Sequence, residues 1–309
     1  MKKLYNTGIF SENTKLKETQ TINNQLKNLY TVWFEHMRNN SLDEIGKSNE
    51  FNGMHLLTCF DSYINKKNKI MLYGKEANSQ DGRVEIFDNN YQNDAYYTYD
   101  YAIANPDKTE KKQSYNRFFL KTRKLISGIE NSDIPTYDKV LSILHNNLNK
   151  TSFMGKYTPC FNNKVYNGKN DKIKAINKII NEIDKTVYSE FKFNGITQNV
   201  FFHELNILKP THLVFLCGKG YNNHIKRDFG EKFYEEVNKS INSLNVKNKP
   251  ISDSVKLNKE QIQKIFGFEN YECINLIFAL HPSAHMTSAI RNVYEQSLSE
   301  FINYSKQDI

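Results

Sequence analysis

Two apolar runs in this chain end in residues able to hold or move a proton. In KIMLYGKEAN the run from Ile70 to Tyr73 stops at Gly74, and Lys75 and Glu76 follow at once. In LIFALHPSAHM the run stops at His281, Pro282 and Ser283. A carboxylate can orient or deprotonate a water, and an imidazole can aim one N–H at a developing negative charge. Two further polar clusters, Asn147 to Lys150 in HNNLNK and Gly218-Lys219-Gly220, also follow apolar stretches. The question is what brings four such clusters together.

Familiar motifs do not answer it. Gly218-Lys219-Gly220 lacks the spacing of a phosphate-cradling P-loop. FFHELNI carries His203-Glu204 without the second histidine of a metalloprotease helix. His281 and His285 lie four apart, but Pro282 spoils a simple helical ligand pair. No G-x-S-x-G is present, which disfavours a hydrolase of that type. The cysteines, Cys59, Cys160, Cys217 and Cys273, are scattered and form no C-x-x-C, so neither a disulfide framework nor a metal or cluster site is expected. The expected chemistry uses no metal and no cofactor.

The elements that must position these clusters follow from periodicity. Ile22, Leu26, Leu29, Tyr30, Trp33, Phe34 and Met37 fall at helical spacing between Thr21 and Arg38. Residues 69–73 read as a buried strand ended by Gly74. The polar, tyrosine-rich stretch 88–113 reads as a long loop or insertion, followed by a helix from Ser114 to Gly128. The apolar part of YDKVLSILHNNLNKTSF reads as a strand or a short helix ending near His145. Helical patterns occupy about 170–207, THLVFLCGKGYN reads as a strand stopping at Gly218, and another helix covers about 223–241. YECINLIFALHPS is the last strand, and Met286 to Tyr304 a closing helix.

Continuous apolar strands alternating with helices imply an α/β fold with a mostly parallel sheet covered on both faces. Ligands of such sheets bind beyond the carboxyl ends of the strands, so the four clusters are expected on one rim. No internal repeat or linker divides the chain. The economical assignment is a helical N-terminal extension over 1–60 and one compact α/β domain over 61–309.

With 309 residues, 39% hydrophobic and 25% charged, the chain is long enough for a sizeable core. No apolar run approaches the roughly 20 residues of a membrane span, and MKKLYNTGIFSENTK has no apolar stretch after its lysines. The expectation is a cytoplasmic monomer without a membrane partner. Lys and Arg total 42 against 34 Asp and Glu, a formal charge of +8. That excess favours an anionic partner, nucleic acid first, although a Lys- and Asn-rich composition can raise the charge without any binding role.

A strand ending in Gly74-Lys75-Glu76-Ala77-Asn78, the segment Asn147-Leu148-Asn149-Lys150, the strand HLVFLCG and a final His281-Pro282-Ser283-Ala284-His285 together resemble, in that order, the uracil-DNA glycosylase superfamily. The resemblance spans roughly 65–300, with two short specific motifs at its ends. It implies a central mostly parallel four-stranded sheet flanked by helices, and a DNA glycosylase that flips a base and hydrolyses its N-glycosidic bond. Such hydrolysis passes through an oxocarbenium-like transition state, positive at the sugar and negative on the departing base. Glu76 stands where the family's water-activating acid sits, and His281 matches the donor to the base oxygen. Gly74 allows close approach to the ligand, with Lys75 beside it.

The resemblance also distributes binding roles. Asn147 aligns best with the family's base-reading asparagine, with Asn149 and Asn146 as alternatives. Phe118, Phe119, Tyr96, Tyr97 and Tyr99 are candidates for stacking on the flipped base. Ser283 matches a phosphate contact, His285 or Met286 the wedge inserted into the duplex, and Arg291 is a further phosphate candidate. Ala77 replaces the family's usual proline. Asn78 stands where some members carry a tyrosine that blocks the pyrimidine C5 position, so the pocket is expected to admit a bulky C5 substituent. Some members of the superfamily act against phage DNA carrying hypermodified cytosine, which makes a modified pyrimidine, and a role in antiviral defence, an expectation beside uracil. No lysine nucleophile is evident in the motifs, so a monofunctional enzyme is expected, with Lys75 kept open. The alternatives are a nucleic-acid or nucleotide binder that keeps the fold without catalysis, and an enzyme cleaving small nucleosides or nucleotides.

Overall fold

A computed structural model describes residues 13–40, 51–54, 56–76, 141–153, 185–216, 221–244, 252–280 and 296. In chain order its elements are α1 (Lys17–Asn39), β1 (Phe51–Met54), α2 (Asp61–Ile64), β2 (Ile70–Glu76), β3 (Ile143–Asn149) and β4 (Thr151–Phe153). There follow β5 (Phe191–Phe193), β6 (Ile196–Gln198), α3 (Val200–Leu208), β7 (His212–Phe215), α4 (Asn222–Ser243), β8 (Ser252–Asn258), α5 (Lys259–Phe266) and β9 (Cys273–Ala279).

Among the described residues the central sheet has five strands in the order β3-β2-β7-β9-β8. The first four run parallel, and β8 pairs antiparallel with β9 from Ser252↔Ala279 to Asn258↔Cys273. The sheet is mostly parallel, as expected, but has five strands among the described residues where four were expected. The β8 sequence SDSVKLN alternates buried with solvated positions, the pattern of an edge strand, and shows none of the continuous apolar character that marks strands buried on both faces.

The parallel strands are buried on both faces. Leu72, Val214 and Ile277 are register partners in one row, and Tyr73, Phe215 and Phe278 form the next. All six are at most 1% exposed, and pleat alternation sends the two rows to opposite faces. Tyr73, Phe215 and Phe278 stack across three strands, with neighbouring ring centroids 4.9 Å apart and planes within 11° of parallel. Such aromatic pairs contribute about 1 kcal/mol each beyond the area they bury. Phe229 of α4 meets both Tyr73 and Phe215 edge-on, and Phe201 of α3 packs beside Tyr73, so both helices cover the aromatic row.

Helix α3 is short and apolar, and its ends are closed by side chains. The Asn199 side chain accepts from the Phe202 amide at its start. At its end Lys209 turns left-handed (φ 46°), ahead of Pro210. The Tyr63 hydroxyl donates to the Leu208 carbonyl, a group that the helix C-terminus leaves without an intrahelical donor. The Tyr271 hydroxyl donates to the Leu205 carbonyl, which also accepts from the Lys209 amide. Helix α1 packs on α3 with Leu26, Leu29, Tyr30, Trp33 and Met37 buried, the stripe expected from its spacing. Trp33 Nε1 donates to the Val187 carbonyl, and Asn23 exchanges two hydrogen bonds with the Cys59 backbone. Helix α1 thus belongs to the same core as the sheet.

Several boundaries depart from the periodicity reading. The helical pattern over 170–207 is interrupted by the β5–β6 hairpin, which turns at Asn194 (φ 48°) and Gly195 (φ 83°). An Asn-Gly pair between short alternating segments is a hairpin signal, and it overrides the apolar spacing around it. The HNNLNK segment is strand, not helix, through Asn149. The expected insertion at 88–113 and helix from Ser114 to Gly128 lie outside the described residues, as does the closing helix apart from Gln296.

Candidate active site

The first parallel strand in the chain, β2, lies between the second, β3, and the third, β7. Connections leaving β2 and β3 therefore go to opposite sides of β2. This makes the β2–β7 boundary a topological switch point, the place where ligands of such sheets bind. Gly74, Lys75 and Glu76 are the last three residues of β2, at that rim. Strand β7 ends beside them, with the Leu216 amide donating to the Tyr73 carbonyl.

On the other side of β2, the register pairs Gly74 with Asn147 and Glu76 with Asn149. The sheet thus brings the backbones of three candidate residues, Gly74, Glu76 and Asn147, to one strand end, with Lys75 between the first two. Strand β9 runs parallel to β2 with β7 alone between them, so the two backbones are separated by roughly 10 Å, twice the usual strand spacing. Strand β9 ends at Ala279 and Leu280, immediately before His281 in the sequence. Asn78, Phe119, His281, Ser283, His285, Met286 and Arg291 lie outside the described residues, as do Phe118 and Tyr96, Tyr97 and Tyr99.

Directly behind this rim lies a polar cluster that the motifs did not reveal. Lys150, the residue after β3, is fully buried, and its ammonium lies 2.7 Å from Oε1 of the equally buried Glu204 on α3. Lys150 Nζ also donates to Asn146 Oδ1 at 2.6 Å, and it sits 5.2 Å from the centroid of the Phe201 ring. Its protons therefore face a carboxylate, an amide oxygen and an aromatic face. Glu204 is equally well served. Tyr30 donates to Oε1 at 2.8 Å, and Asn146 Nδ2 donates to Oε2 at 3.0 Å. The Tyr30 hydroxyl in turn accepts from the Leu57 amide.

Burial pulls the Lys150 pKa below its ordinary value, and the adjacent Glu204 carboxylate opposes that pull. Burial, reinforced by the charge of Glu204, holds the Tyr73 phenol well above its ordinary value, so it stays neutral. A second cluster adjoins the first. The Arg227 guanidinium lies 3.4 Å from the Tyr188 ring centroid, pairs with Asp228, and donates Nη2 to the Leu148 carbonyl. The Tyr188 hydroxyl accepts from the Lys150 amide at 2.9 Å.

Asn146, an alternative base reader in the sequence, is thus engaged inside the protein with Lys150 and Glu204. Sequence reasoning missed Glu204, although a signal was present: a carboxylate within the apolar run VFFHELNIL must find a partner if it is buried. His203, its neighbour, is a packing residue, with Nε2 at 3.2 Å from the Phe191 carbonyl and its ring against Phe191 and Phe193.

Among the described residues no group of His, Cys, Asp and Glu is arranged to hold a metal ion, and no helix is long and apolar enough to cross a membrane. The fold and rim define an α/β protein with a mostly parallel sheet. No family model, curated protein or solved structure matches the chain.

Proposed function

We propose that this chain is a monofunctional DNA glycosylase that flips a pyrimidine out of DNA and hydrolyses its N-glycosidic bond. The observation that carries the reading is the strand register. Tyr73 and Phe278 belong to one row across β2, β7 and β9; Glu76 is three residues past the first, and His281 three residues past the second. Strands β2 and β9, whose backbones lie roughly 10 Å apart on either side of β7, suit a flat base held between the carboxylate residue that ends β2 and the histidine that follows β9 in the sequence.

In the proposed reaction Glu76 orients a water toward C1′ of the deoxyribose and accepts its proton. The C1′–N bond breaks with its electron pair going to the base, and a new C1′–O bond forms. His281 donates a hydrogen bond to the base oxygen on which negative charge collects, and the water's proton ends on the released base. Electrostatic stabilisation at both charges is the main source of rate in such a site. Asn147, beside Gly74, reads the base edge, and Phe119 is the proposed stacking residue. On the DNA side, Ser283 and Arg291 contact phosphate, while His285 or Met286 fills the vacated stack. Asn78, in place of a bulky ring, leaves room at C5, which favours a modified pyrimidine such as hypermodified cytosine in phage DNA as the substrate. A role in antiviral defence follows from that choice.

Duplexes and single strands carrying uracil, 5-hydroxymethylcytosine or its glucosylated form, treated with alkali after incubation, report abasic sites directly. Strand breaks at one of these bases support the proposal, and cleavage of uracil alone removes the modified-pyrimidine part. DNA that is bound but left intact in every case favours a non-catalytic binder.

A further inference from the structure

Among the described residues strand β3 is an edge of the central sheet, and an edge strand lacks a partner on one side. Here the five residues from Asn146 to Lys150 are tied to elements outside the sheet by side chains. Asn146 Nδ2 and Lys150 Nζ both donate to Glu204 of α3, and Lys150 Nζ also closes back on Asn146. The Leu148 carbonyl accepts from Arg227 of α4, and the Lys150 amide donates to Tyr188, on whose ring Arg227 stacks. Two helices and a loop thus grip a stretch whose backbone is register-paired with Gly74 and Glu76.

Stability alone does not account for this choice of residues. A buried ion pair is commonly no better than apolar side chains of the same shape, because desolvation offsets its attraction. What hydrogen-bonded charges add is geometry, since each bond fixes a distance and a direction. We infer that Glu204, Lys150 and Arg227 are positioning residues, which lock the end of β3 so that Asn147 meets the base at a fixed height beside Gly74 and Glu76. The inference rests on the glycosylase reading for its functional half. Its structural half, the locking of the strand end, stands separately.

Two variants test it. Lys150→Met with Glu204→Leu removes the ion pair while keeping the volume apolar, and Tyr188→Phe deletes one tether while keeping the ring under Arg227. Each is compared with the parent by amide hydrogen exchange over residues 74–76 and 147–149, by single-turnover base excision, and by DNA affinity. The expected result is lost protection at the strand end and an excision rate lower by about tenfold or more, with affinity within about twofold, because misplacement of reacting groups lowers rate more than binding. A folded variant that keeps parental protection, or loses protection and still excises at the parental rate, overturns the inference. If the double variant does not fold, Tyr188→Phe decides by the same readings. If the parent excises no base, the glycosylase reading fails by itself, and unchanged protection in the variants would still overturn the locking of β3.

Discussion

Glu204 and Lys150 carry opposite charges with no exposed surface between them, each hydrogen-bonded to neighbours that hold it in place. Removing one member leaves the other charge buried without its partner. Lys150→Ala or Glu204→Ala alone should therefore lower unfolding stability by about 3–5 kcal/mol. Lys150→Met with Glu204→Leu leaves no unpaired charge and should cost less than the two single losses summed, although Asn146 and Tyr30 lose partners. Urea unfolding of the three variants measures this, and single variants costing under about 1 kcal/mol would contradict a tight buried pair. Little of this pairing was legible in the sequence. Lys150 stood out as a basic residue three positions after Asn147, but its partner is 54 residues away on a helix. Only folding brings them together. The strand at 70–73 was legible from its apolar run, but its end was not: the strand continues past Gly74 to Glu76, paired there with Asn147 and Asn149 of β3.

At the scale of elements, α1, α4 and the apolar strands β2, β7 and β9 announced themselves, whereas β3 was left between strand and helix and the short helices α2 and α5 were not read. Helix α4 spans Asn222–Ser243, close to the 223–241 expected from spacing, yet Gly230 inside it has φ 80° and ψ 169°. Only glycine adopts that conformation without strain. A Cβ at Gly230 would meet no heavy atom within 4 Å, so the backbone alone sets the effect of a substitution. Gly230→Ala should cost about 1–3 kcal/mol, seen as a lower thermal midpoint, and should leave the core packing unchanged. A neutral effect would mean that α4 runs straight through this point. The edge strand β8 and the β5–β6 hairpin escaped a search for continuous apolar or helical patterns because their buried positions are few and alternate. In the aromatic row, Phe215→Ala removes a ring stacked on both sides, and should cost about 3–5 kcal/mol in the same assay.

At the scale of the whole molecule, two buried histidines, His212 and His224, contribute to the response to acid. Burial lowers the pKa of His212 to about 4, and burial together with nearby Arg227 does the same for His224. His212 lies at the amino end of β7, with Nδ1 2.8 Å from Thr211 Oγ1 and Nε2 3.3 Å from Asn275 Nδ2. The amide donates to Nε2, so the neutral ring carries its proton on Nδ1, and protonation would set two donors against each other. Between pH 6.5 and about 4 the unfolded chain binds protons that these folded rings refuse. Their contribution to stability is complete above 6.5 and is lost progressively as pH falls from there to about 4, by roughly 3 kcal/mol per ring. Unfolding free energies measured across that window should decline toward acid, and His212→Asn should flatten the slope. An unchanged slope would place the ring in solvent. The α/β class and parallel core were readable from the chain because two-sided burial writes itself as unbroken apolar runs. The sheet order was not, since nothing in a strand's own residues names its neighbours.

The central claim is that Glu76, at the end of β2, activates the water that releases a base from DNA. Single-turnover excision and DNA affinity, measured side by side on the parent and Glu76→Gln with the base that the parent removes, test it most directly. The account predicts a rate lower by about a hundredfold or more, with affinity unchanged or slightly tighter because a negative charge near the phosphates is gone. Parental excision by Glu76→Gln would contradict it.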